Sequence, residues 1–537
     1  MKDDVRLPGR MRPQAFGILG STMHIDLDHF DGQALPRRRF CIVGAGIAGL
    51  VLSQRLASKG FEINLLEAGG LELEERSQDL YRAKMSAAEH TGTTLGRFRT
   101  FGGSSTRWGG QLLPYTADLF KPGDGSDAPE WPIEEAEIAG YYESVQRIFH
   151  AGTLPFTEDL LKALGKGPSP FSNDLRLRFS KWAPFARRNL AQTIGRECLT
   201  NPRIHLFTHA NVAELCASEG RITHARLLDY RGRSFEVAAE EFIVAAGTIE
   251  SSRILLSSPT IPNCGEQFGQ GFHDHVSMPA AVLPPPARKQ IMDRLGPFFV
   301  NGVLHTVKIE AAPDLRKEHG LLAVMAHFVV EEPEDSGIAA VRNLLTSIQR
   351  RNFTQALTAN LVPMIRGTGD VARLAWASKV LKRRAVSNRA VVRLTIDLEQ
   401  PAKAGNRIRL SEERDAIGLP RAIVDWRIGE AEQQTASRFA RLMKLKLAEA
   451  GFSPLEWLPG VLEGEGLSLL DTYHAMGGLR MGTEAATSVV DRNLNMHVIG
   501  NLHIASCAVF PSGGSSNPTF TLIAITMRLA DRLGRTR

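Results

Sequence analysis

The apolar positions between residues 40 and 59 form two different patterns. Residues 40–43 are continuously apolar, as in a buried strand, and a helical spacing of apolar positions runs from 47 to about 59. A second apolar run at 63–66 ends on Glu67. The pattern predicts a strand, a glycine turn, a helix, a second strand and an acidic residue, in that order.

Three glycines occupy the turn of this unit. Gly44 permits a tight turn, Gly46 lets a pyrophosphate approach the backbone, and Gly49 lets the helix pack closely on the sheet. Glu67 lies 23 positions after Gly44, where a carboxylate can accept ribose hydroxyls and would repel a 2′-phosphate. Glycine triplets also occur for structural reasons alone, but the flanking strands and the acidic residue favour a site for FAD or NAD.

Further strand patterns predict that the chain returns to this sheet and then builds a second one. A buried strand at 241–246 leads into a small-residue turn and a short helix at 249–256. Strand patterns near 298–310, 321–331 and 391–410 predict the second sheet, and several amphipathic helices are expected within 335–390. The element order therefore predicts an α/β protein with two domains.

Size and composition are those of a globular protein with more than one domain. The chain has 537 residues, of which 43% are apolar and 23% charged. The net charge of +6 is small for this length and the basic residues are scattered, so nothing indicates nucleic-acid binding. The five cysteines are far apart and form no Cys-x-x-Cys pair, which excludes a disulfide scaffold and a cysteine-rich metal site.

The sequence gives little indication of a membrane. No run of 18 apolar residues occurs, and residues 1–38 are polar, without a signal-peptide pattern. Within them, 23–27 alternate and are compatible with a short added strand. A cytoplasmic location is therefore expected. The basic run at 379–384 has two interpretations, a solvated helix face, which is commoner, or a helix that binds a membrane surface.

A second glycine-rich stretch covers residues 97–110. Its four glycines and small hydroxyl residues exclude a stable helix or central strand and favour a loop whose backbone lies against a flat ligand. A flexible surface loop is the alternative. Phe98, Phe101 and Trp108 favour the ligand-binding interpretation, because three aromatic side chains tend to be buried.

The C-terminal region contains two more dense stretches. Residues 471–482 place His474 before a glycine-rich turn, and 501–511 are expected to form a strand that includes Cys507. Asn517 then opens a helix that runs to the end of the chain and offers N–H groups to a polar ligand. Taken alone, His474 is equally compatible with a core histidine, and Asn517 with a simple helix cap.

Together these four stretches resemble the glucose–methanol–choline (GMC) oxidoreductase family. The glycine triplet with Glu67, the Gly-Gly-Ser-Ser-x-x-Trp-Gly-Gly loop, the His-x-x-Gly-x-x-Arg-Met-Gly segment and the Phe-Pro…Asn-Pro-Thr tail occur in the family's order. Residues 276–470 match only loosely. Within the family, the chain looks closest to pyranose-oxidase-like and bacterial sugar dehydrogenase members.

The resemblance implies a Rossmann-like FAD-binding domain with an inserted antiparallel-sheet substrate domain. The implied boundaries are an N-terminal leader at 1–38, an FAD-binding domain made of 39–120, 201–275 and 471–537, and a substrate-binding domain made of 121–200 and 276–470.

The resemblance also implies the oxidation of a CH–OH group. His474 maps to the family's catalytic histidine, and Asn517 maps to its partner, which is His in some members and Asn in others. A neutral imidazole can take the hydroxyl proton, an amide N–H can stabilise the developing alkoxide, and the hydride goes to flavin N5. The implied cofactor-binding residues are Gly44, Gly46, Gly49, Glu67, Gly103, Ser105, Thr106, Arg107, Trp108, Gly109, Val212, Ser506 and Thr519.

Two departures from the family pattern affect the expected cofactor contacts. Pyranose oxidases that bind FAD covalently carry His at the position of Arg107, and arginine cannot form that bond, so non-covalent FAD is expected. Many members carry Asp at the position of Ser506, which leaves the contact with the flavin pyrophosphate at that point open.

Several alternatives remain open at this level. The substrate is expected to be a sugar, a glycoside or another alcohol, and the electron acceptor oxygen or another acceptor. A flavin lyase or isomerase and a non-catalytic flavin protein are rival functions, and a homo-oligomer is possible. His275 is expected to be structural. A metal site at the pair His273 and His275 is the alternative, but it lacks a visible third ligand, and no metal is expected.

Overall fold

The computed structural model describes residues 23–535, apart from residue 33, residues 122–128, 172–173 and 264–265, and residues 350–381, of which only 369, 376, 377 and 380 are described. The described residues form four sheets and the helices that pack on them.

The strands, numbered in chain order, are β1 (His24–Asp26), β2 (Arg38–Val43), β3 (Ile63–Leu66), β4 (Lys84–Met85), β5 (Gln111–Leu112), β6 (Leu175–Trp182), β7 (Ile204–Thr208), β8 (Asn211–Ser218), β9 (Arg221–Leu228), β10 (Ser234–Val237), β11 (Ala239–Val244), β12 (His275–Val282), β13 (Phe298–Val300), β14 (Val303–Ala311), β15 (Val324–Glu331), β16 (Val391–Glu399), β17 (Arg407–Arg414), β18 (Pro420–Asp425), β19 (Glu456–Trp457), β20 (Leu470–Asp471) and β21 (Leu502–Ile504).

The α-helices of the described part of the chain are α1 (Ile47–Ser58), α2 (Glu75–Asp79), α3 (Ala117–Phe120), α4 (Ala136–Ala139), α5 (Tyr142–Ile148), α6 (Asp159–Ala163), α7 (Ile194–Thr200), α8 (Thr248–Leu256), α9 (Pro285–Leu295), α10 (Pro313–His319), α11 (Gly337–Gln349), α12 (Glu430–Glu449) and α13 (Pro518–Leu533).

The first sheet has six parallel strands in the order β1-β7-β3-β2-β11-β21. Residues 40–43 and 63–66 are buried on both faces of this sheet, which explains their continuous apolar runs. Helices α1 and α13 pack against each other in the core that surrounds the sheet. The parallel sheet with flanking helices confirms the predicted α/β class.

The second sheet is antiparallel and has nine strands. Its main path is β19-β12-β16-β15-β14-β6-β5, and β13 and β20 pair with β14 and β12. Helix α12 packs on β15 and β16 and buries Phe439 and Met443 in a second core. Two three-stranded sheets, β10-β9-β8 and β17-β18-β4, complete the fold.

The strand pattern near 391–410 belongs only in part to the predicted second sheet. It is divided into β16, in the nine-stranded sheet, and β17, in a separate sheet. Pro401 and Gly405 lie between them, in a segment without regular structure. Both residues disfavour a continuous strand, which accounts for the break.

Two other predicted elements are shorter than expected. The strand at 501–511 ends at Ile504, because Ser506 turns its hydroxyl to the N–H of Ala508 and caps a 3₁₀ turn at Cys507–Val509. Cys507 therefore lies in a turn and not in a strand. In the sequence, Trp131-Pro132-Ile133 followed by Glu134 and Glu135 predicts a helix that begins near residue 131. The helices of this region begin instead at Ala136 and at Tyr142.

The N-terminal segment contributes to the first sheet. The strand expected at 23–27 is present as β1, which pairs in parallel with β7 at the edge of that sheet. Of the helices expected within 335–390, α11 is described, and most of the remainder lies outside the described residues, as does part of the basic run at 379–384. Within the described part of the chain, no helix has the length and apolar character needed to cross a membrane.

Candidate active site

A large cavity lies where four parallel strands end. The carboxyl ends of β2, β3, β11 and β21 meet at one edge of the first sheet, the usual ligand-binding edge of such sheets. The cavity contains about 1290 Å³ of space free of protein atoms and is partly open to solvent. Glu67 and His474 both line it.

Three helices begin at this cavity, α1, α8 and α13. Their N-cap residues, Gly46, Gly247 and Asn517, make no side-chain hydrogen bond to the helix that follows. The first N–H groups of a helix lack intrahelical partners and lie at its positive dipole end. The cavity therefore offers three places suited to a phosphate or another anion.

Two glycines from different loops meet at the start of α1. A Cβ on Gly103, which has a φ of +53°, would lie 3.0 Å from the Cα of Gly46. A Cβ on Gly46 would meet no described atom within 4 Å, since it would point into open space, whereas one on Gly49 would lie 1.9 Å from the carbonyl oxygen of Gly44. The chain thus leaves the backbone of Gly46 open to a ligand, while Gly49 and Gly103 allow close backbone packing.

Glu67 is buried at the end of β3. Its two carboxylate oxygens accept hydrogen bonds from the backbone N–H groups of Ala45, at 3.0 Å, and Gly69, at 2.9 Å. Burial raises the pKa of Glu67 above its usual value, although both hydrogen bonds act in the opposite direction. These contacts fix the carboxylate in the cavity wall. Its remaining lone pairs can accept hydrogen bonds from hydroxyl groups of a ligand.

A buried ionic cluster lines another part of the wall. Glu250 contacts Arg253 at 2.9 Å and Arg99 at 3.3 Å, and Arg97 lies 3.8 Å away. Burial disfavours the charge of Glu250, but Arg253, Arg99 and Arg97 together lower its pKa to about 2. Three cations surround one carboxylate, so this part of the cavity wall is positively charged.

His474 lies in the loop after β20 and faces the N-terminus of α13. Its Nε2 atom is 2.9 Å from the side-chain nitrogen of Asn517. Its Nδ1 atom is 2.8 Å from Thr472 Oγ1 and 3.0 Å from His275 Nδ1. The preceding residue, Tyr473, has a φ of +64°, which is uncommon for an aromatic residue and marks a constrained turn. The imidazole is therefore held at both nitrogens.

The buried carboxylate of Asp274 anchors this loop. It accepts hydrogen bonds from the backbone N–H groups of His474, at 2.9 and 3.0 Å, and His275, at 2.7 Å. It also accepts from Thr472 Oγ1 at 3.1 Å and from His90 Nε2 at 3.1 Å. One carboxylate thus links the start of β12 to the loop that carries His474.

Burial determines the protonation of His474. Burial, together with the neighbouring His275, lowers the pKa of His474 to about 4. The imidazole is therefore neutral near pH 7 and able to accept a proton. The side-chain oxygen of Asn517 is buried without a hydrogen-bond partner among the described residues, so an unused hydrogen-bond acceptor lies beside His474.

The structure separates the predicted cofactor residues into two groups. Those that line the cavity are Gly44, Gly46, Glu67, Gly103, Val212, Ser506 and Thr519. Those that do not line it are Gly49, Ser105, Thr106, Arg107, Trp108 and Gly109.

Within the second group, local hydrogen bonds turn side chains away from the cavity. Ser105 and Thr106 donate to the carbonyl oxygens of Gly102 and Gly103, and Trp108 donates to the carbonyl of Arg188. The guanidinium of Arg107 lies over the ring of Phe98. The cofactor roles of these side chains stay predictions.

The structure also brings in residues that the sequence did not single out. Cavity-lining residues outside the predicted set include Tyr81, Arg97, Arg99, Ser104, Glu250, Arg253, Tyr473 and Cys507. Arg97, Arg99 and Ser104 belong to the glycine-rich stretch at 97–110. That stretch is therefore the sequence feature from which these three cavity residues could have been predicted. No group of three metal-ligating side chains within the described part of the chain includes His273 or His275.

Comparison with known proteins agrees with this geometry. The model of the GMC oxidoreductase family matches residues 401–526, which include His474 and Asn517, and the model of an NAD(P)-binding Rossmann-like domain matches residues 42–71. The chain belongs to the GMC oxidoreductase family. It is therefore an oxidoreductase, and its FAD cofactor is implied by the family.

Individual GMC relatives are distant in sequence. The chain is 22% identical over 540 residues to paromamine 6′-oxidase of Streptomyces fradiae, covering 91% of this chain and 90% of that protein. It is 24% identical over 324 residues to the fructose dehydrogenase large subunit of Gluconobacter japonicus, covering 59% and 51%. Pyridoxine 4-oxidase of Mesorbium loti has the same fold, with a TM-score of 0.54 at 15% identity, covering 93% of this chain and 100% of that one.

The cavity fits the cofactor that the GMC family implies. The open backbone at Gly46 and the three helix N-termini suit a pyrophosphate, and the Glu67 carboxylate suits ribose hydroxyls. A Cβ on Gly46 would enter the space beside its backbone. The absence of a side chain there is the most direct indication that a ligand approaches this backbone.

Proposed function

We propose that this GMC oxidoreductase binds FAD without a covalent bond and oxidises a CH–OH group of a sugar, glycoside or related alcohol to a carbonyl. The observation that carries the proposal is the pair formed by His474 and Asn517, 2.9 Å apart, of which His474 lines the same cavity as Gly46 and Glu67. A base in the cavity wall, with a hydrogen-bond donor beside it, thus lies near the features that suit a dinucleotide.

Residues from distant parts of the chain would hold FAD. Gly46, Gly103 and the N-terminus of α1 would contact the pyrophosphate, and Glu67 would accept the ribose hydroxyls. The FAD-binding domain would combine residues 39–120, 201–275 and 471–537, although β5, within the first of these ranges, pairs with β6 of the nine-stranded sheet. When bound, the flavin supplies the two-electron acceptor for the hydride that leaves the alcohol carbon.

His474 would accept the proton of the substrate hydroxyl. An alcohol carbon releases a hydride readily only when its oxygen carries negative charge, so the proton must move to a base as the C–H bond breaks. The neutral imidazole, with its pKa lowered to about 4 by burial, is available for this step throughout the neutral range.

Asn517 would stabilise the same oxygen. Its side-chain nitrogen, which now donates to His474 Nε2, can donate to the substrate oxygen as negative charge develops there. Because Asn517 is also the N-cap of α13, the positive end of that helix dipole lies beside the developing charge.

Anaerobic flavin reduction tests the proposal. FAD-loaded protein is mixed without oxygen with D-glucose, D-fructose, methyl α-D-glucopyranoside, benzyl alcohol or 1-butanol, and the visible flavin absorbance is followed. At least one of these alcohols should bleach the flavin and yield one equivalent of carbonyl product. If none does so, even at high concentration, the proposed oxidation is wrong. Conversion of substrate without a net change in oxidation state would instead indicate a lyase or isomerase.

A further inference from the structure

The hydrogen-bond partners of His474 Nδ1 determine which nitrogen of the ring carries the proton. Thr472 Oγ1, 2.8 Å from Nδ1, is also 3.1 Å from an oxygen of Asp274. An ionised carboxylate can only accept hydrogen bonds, and a threonine hydroxyl has a single hydrogen. The hydroxyl therefore donates to Asp274 and presents a lone pair to His474 Nδ1, which must carry the ring proton.

Asp274 has the environment of an ionised carboxylate. It is fully buried, and burial alone would raise its pKa, but the hydrogen bond from His90 and the surrounding histidines hold the pKa below its usual value. Its donors come from the backbone of His275 and His474, the hydroxyl of Thr472 and the ring of His90. A carboxylate with this many donors is acceptor-only, as the preceding argument requires.

His275 leads independently to the same protonation state. Its Nε2 atom is 3.0 Å from the carbonyl oxygen of Gly513, which can only accept, so Nε2 carries a hydrogen and donates it to that oxygen. Its Nδ1 atom is then an acceptor, and it faces His474 Nδ1 at 3.0 Å. Two separate neighbours thus require a hydrogen on His474 Nδ1 and leave the lone pair on Nε2, the nitrogen beside Asn517.

We propose that Asp274 and Thr472 form a carboxylate–hydroxyl–imidazole relay that fixes the reactive tautomer of His474 and stabilises its protonated form. The inference rests on the proposed function for its catalytic meaning, but the tautomer itself follows from the contacts. Asp274 and Thr472 are positioning residues, since they act through His474.

The relay has a defined role while the substrate proton moves. The proton passes from the substrate oxygen to Nε2 of His474, and the hydrogen on Nδ1 stays in its bond to Thr472. The imidazolium that forms is buried, so it needs a compensating charge. Asp274 supplies that charge through the hydroxyl of Thr472, and it already accepts the backbone N–H of His474 at 2.9 Å.

Nitrogen NMR tests the relay without any turnover. Protein labelled with ¹⁵N-histidine is compared with a His474→Gln variant, so that the difference identifies the ring signals of His474. The expected result is a protonated Nδ1 and an unprotonated Nε2 at pH 7. In Thr472→Val, which removes the hydroxyl and keeps the shape, His275 still accepts the hydrogen on Nδ1, but the imidazolium loses its link to Asp274, so His474 should become protonated only at a lower pH than in the unmodified protein. A protonated Nε2 in the unmodified protein at pH 7, or protonation of His474 at the same pH in Thr472→Val, would overturn the relay.

Kinetics of the same variants supply a second readout. In Thr472→Val, kcat for an alcohol that reduces the flavin should fall about 10- to 100-fold with KM nearly unchanged, the usual effect of removing a partner that orients a reactive group. Thr472→Ser, which restores the hydroxyl, should recover most of the rate, and Thr200→Val at an exposed helix end should behave as the unmodified enzyme. A Thr472→Ser variant as slow as Thr472→Val would indicate a purely structural role for Thr472.

The two readouts distinguish the relay from the reaction. If no alcohol reduces the flavin, the proposed oxidation is wrong, while the NMR signals still decide the tautomer. If an alcohol is oxidised but the NMR signals show the other tautomer, the relay is wrong and the proposed function stands.

Discussion

The Nε2 atom of His474 and the side-chain nitrogen of Asn517 lie 2.9 Å apart, although 43 positions separate the two residues in the chain. One residue follows a short strand and the other starts the last helix, so tertiary structure alone brings them together. Under the proposed function, His474 as the base and Asn517 as the hydrogen-bond donor would share one substrate oxygen.

The first prediction concerns the base itself. His474→Ala should lower kcat for an oxidised alcohol by roughly 10²–10⁴, the usual effect of losing one general base. FAD should remain bound, because the imidazole is not among the groups that suit the pyrophosphate or the ribose. Stopped-flow flavin reduction measures the rate, and the absorbance spectrum measures the bound flavin. His29→Ala, at an exposed histidine, is the matched control; a near-normal rate in His474→Ala would remove that residue from the mechanism.

The second prediction separates cofactor binding from folding. Gly46→Ala should weaken FAD binding at least about tenfold, because its Cβ enters the space in which a pyrophosphate would lie, while the protein still folds. Titration of the FAD-free protein, followed by flavin fluorescence, gives the Kd, and circular dichroism reports the fold. Gly140→Ala, where a Cβ also meets no described atom within 4 Å, is the control and should bind FAD normally. Equal affinity in the two variants would contradict the assignment of Gly46.

The third prediction concerns the link between protein and flavin. Acid precipitation of the loaded protein should release all of the flavin into the supernatant, because arginine at position 107 cannot form the histidyl–flavin bond. Flavin absorbance is measured in the redissolved pellet and in the supernatant, which gives the fraction of flavin released. A yellow pellet that survives washing would show a covalent bond and would contradict the argument from Arg107.

The fourth prediction is the position of the acidic limb of the pH profile. Since burial lowers the pKa of His474 to about 4, the imidazole is neutral above that pH and becomes protonated as the pH falls through it. A protonated imidazole cannot accept the substrate proton, so kcat/KM should stay level from neutral pH down to about 5 and then decline. An ordinary histidine would cause the decline near pH 6.5. Initial rates from pH 4 to 8, with melting temperatures measured in parallel to exclude unfolding, decide between the two.

The sequence was sufficient for those parts of the site that depend on local pattern. The turn at Gly44–Gly46, the acid at Glu67 and the helix that begins after Asn517 each need only neighbouring residues for their conformation. The continuous apolar runs predicted the buried parallel strands for the same reason. These elements therefore agree with the structure.

The remaining features depend on contacts between distant residues. Thr472 and Asp274 are 198 positions apart, and no local pattern indicates that they share a hydrogen bond. The predicted strand at 501–511 failed because the hydroxyl of Ser506 turns back to cap a 3₁₀ turn, which competes with strand pairing. Ser105 belongs to the Gly-Gly-Ser-Ser-x-x-Trp-Gly-Gly motif, yet its hydroxyl donates to the carbonyl oxygen of Gly102 in its own loop and does not line the cavity.

The wall of the cavity contains residues from Val43 to Leu522, nearly the whole described chain. During synthesis on the ribosome, the early glycine turn emerges long before the final helix that completes the opposite wall. Because the two walls are so far apart in the sequence, the cavity cannot form until most of the polypeptide is present. Nascent chains should therefore acquire the dinucleotide only after residues 518–533 have been synthesised, and fragments that lack this helix should be colourless.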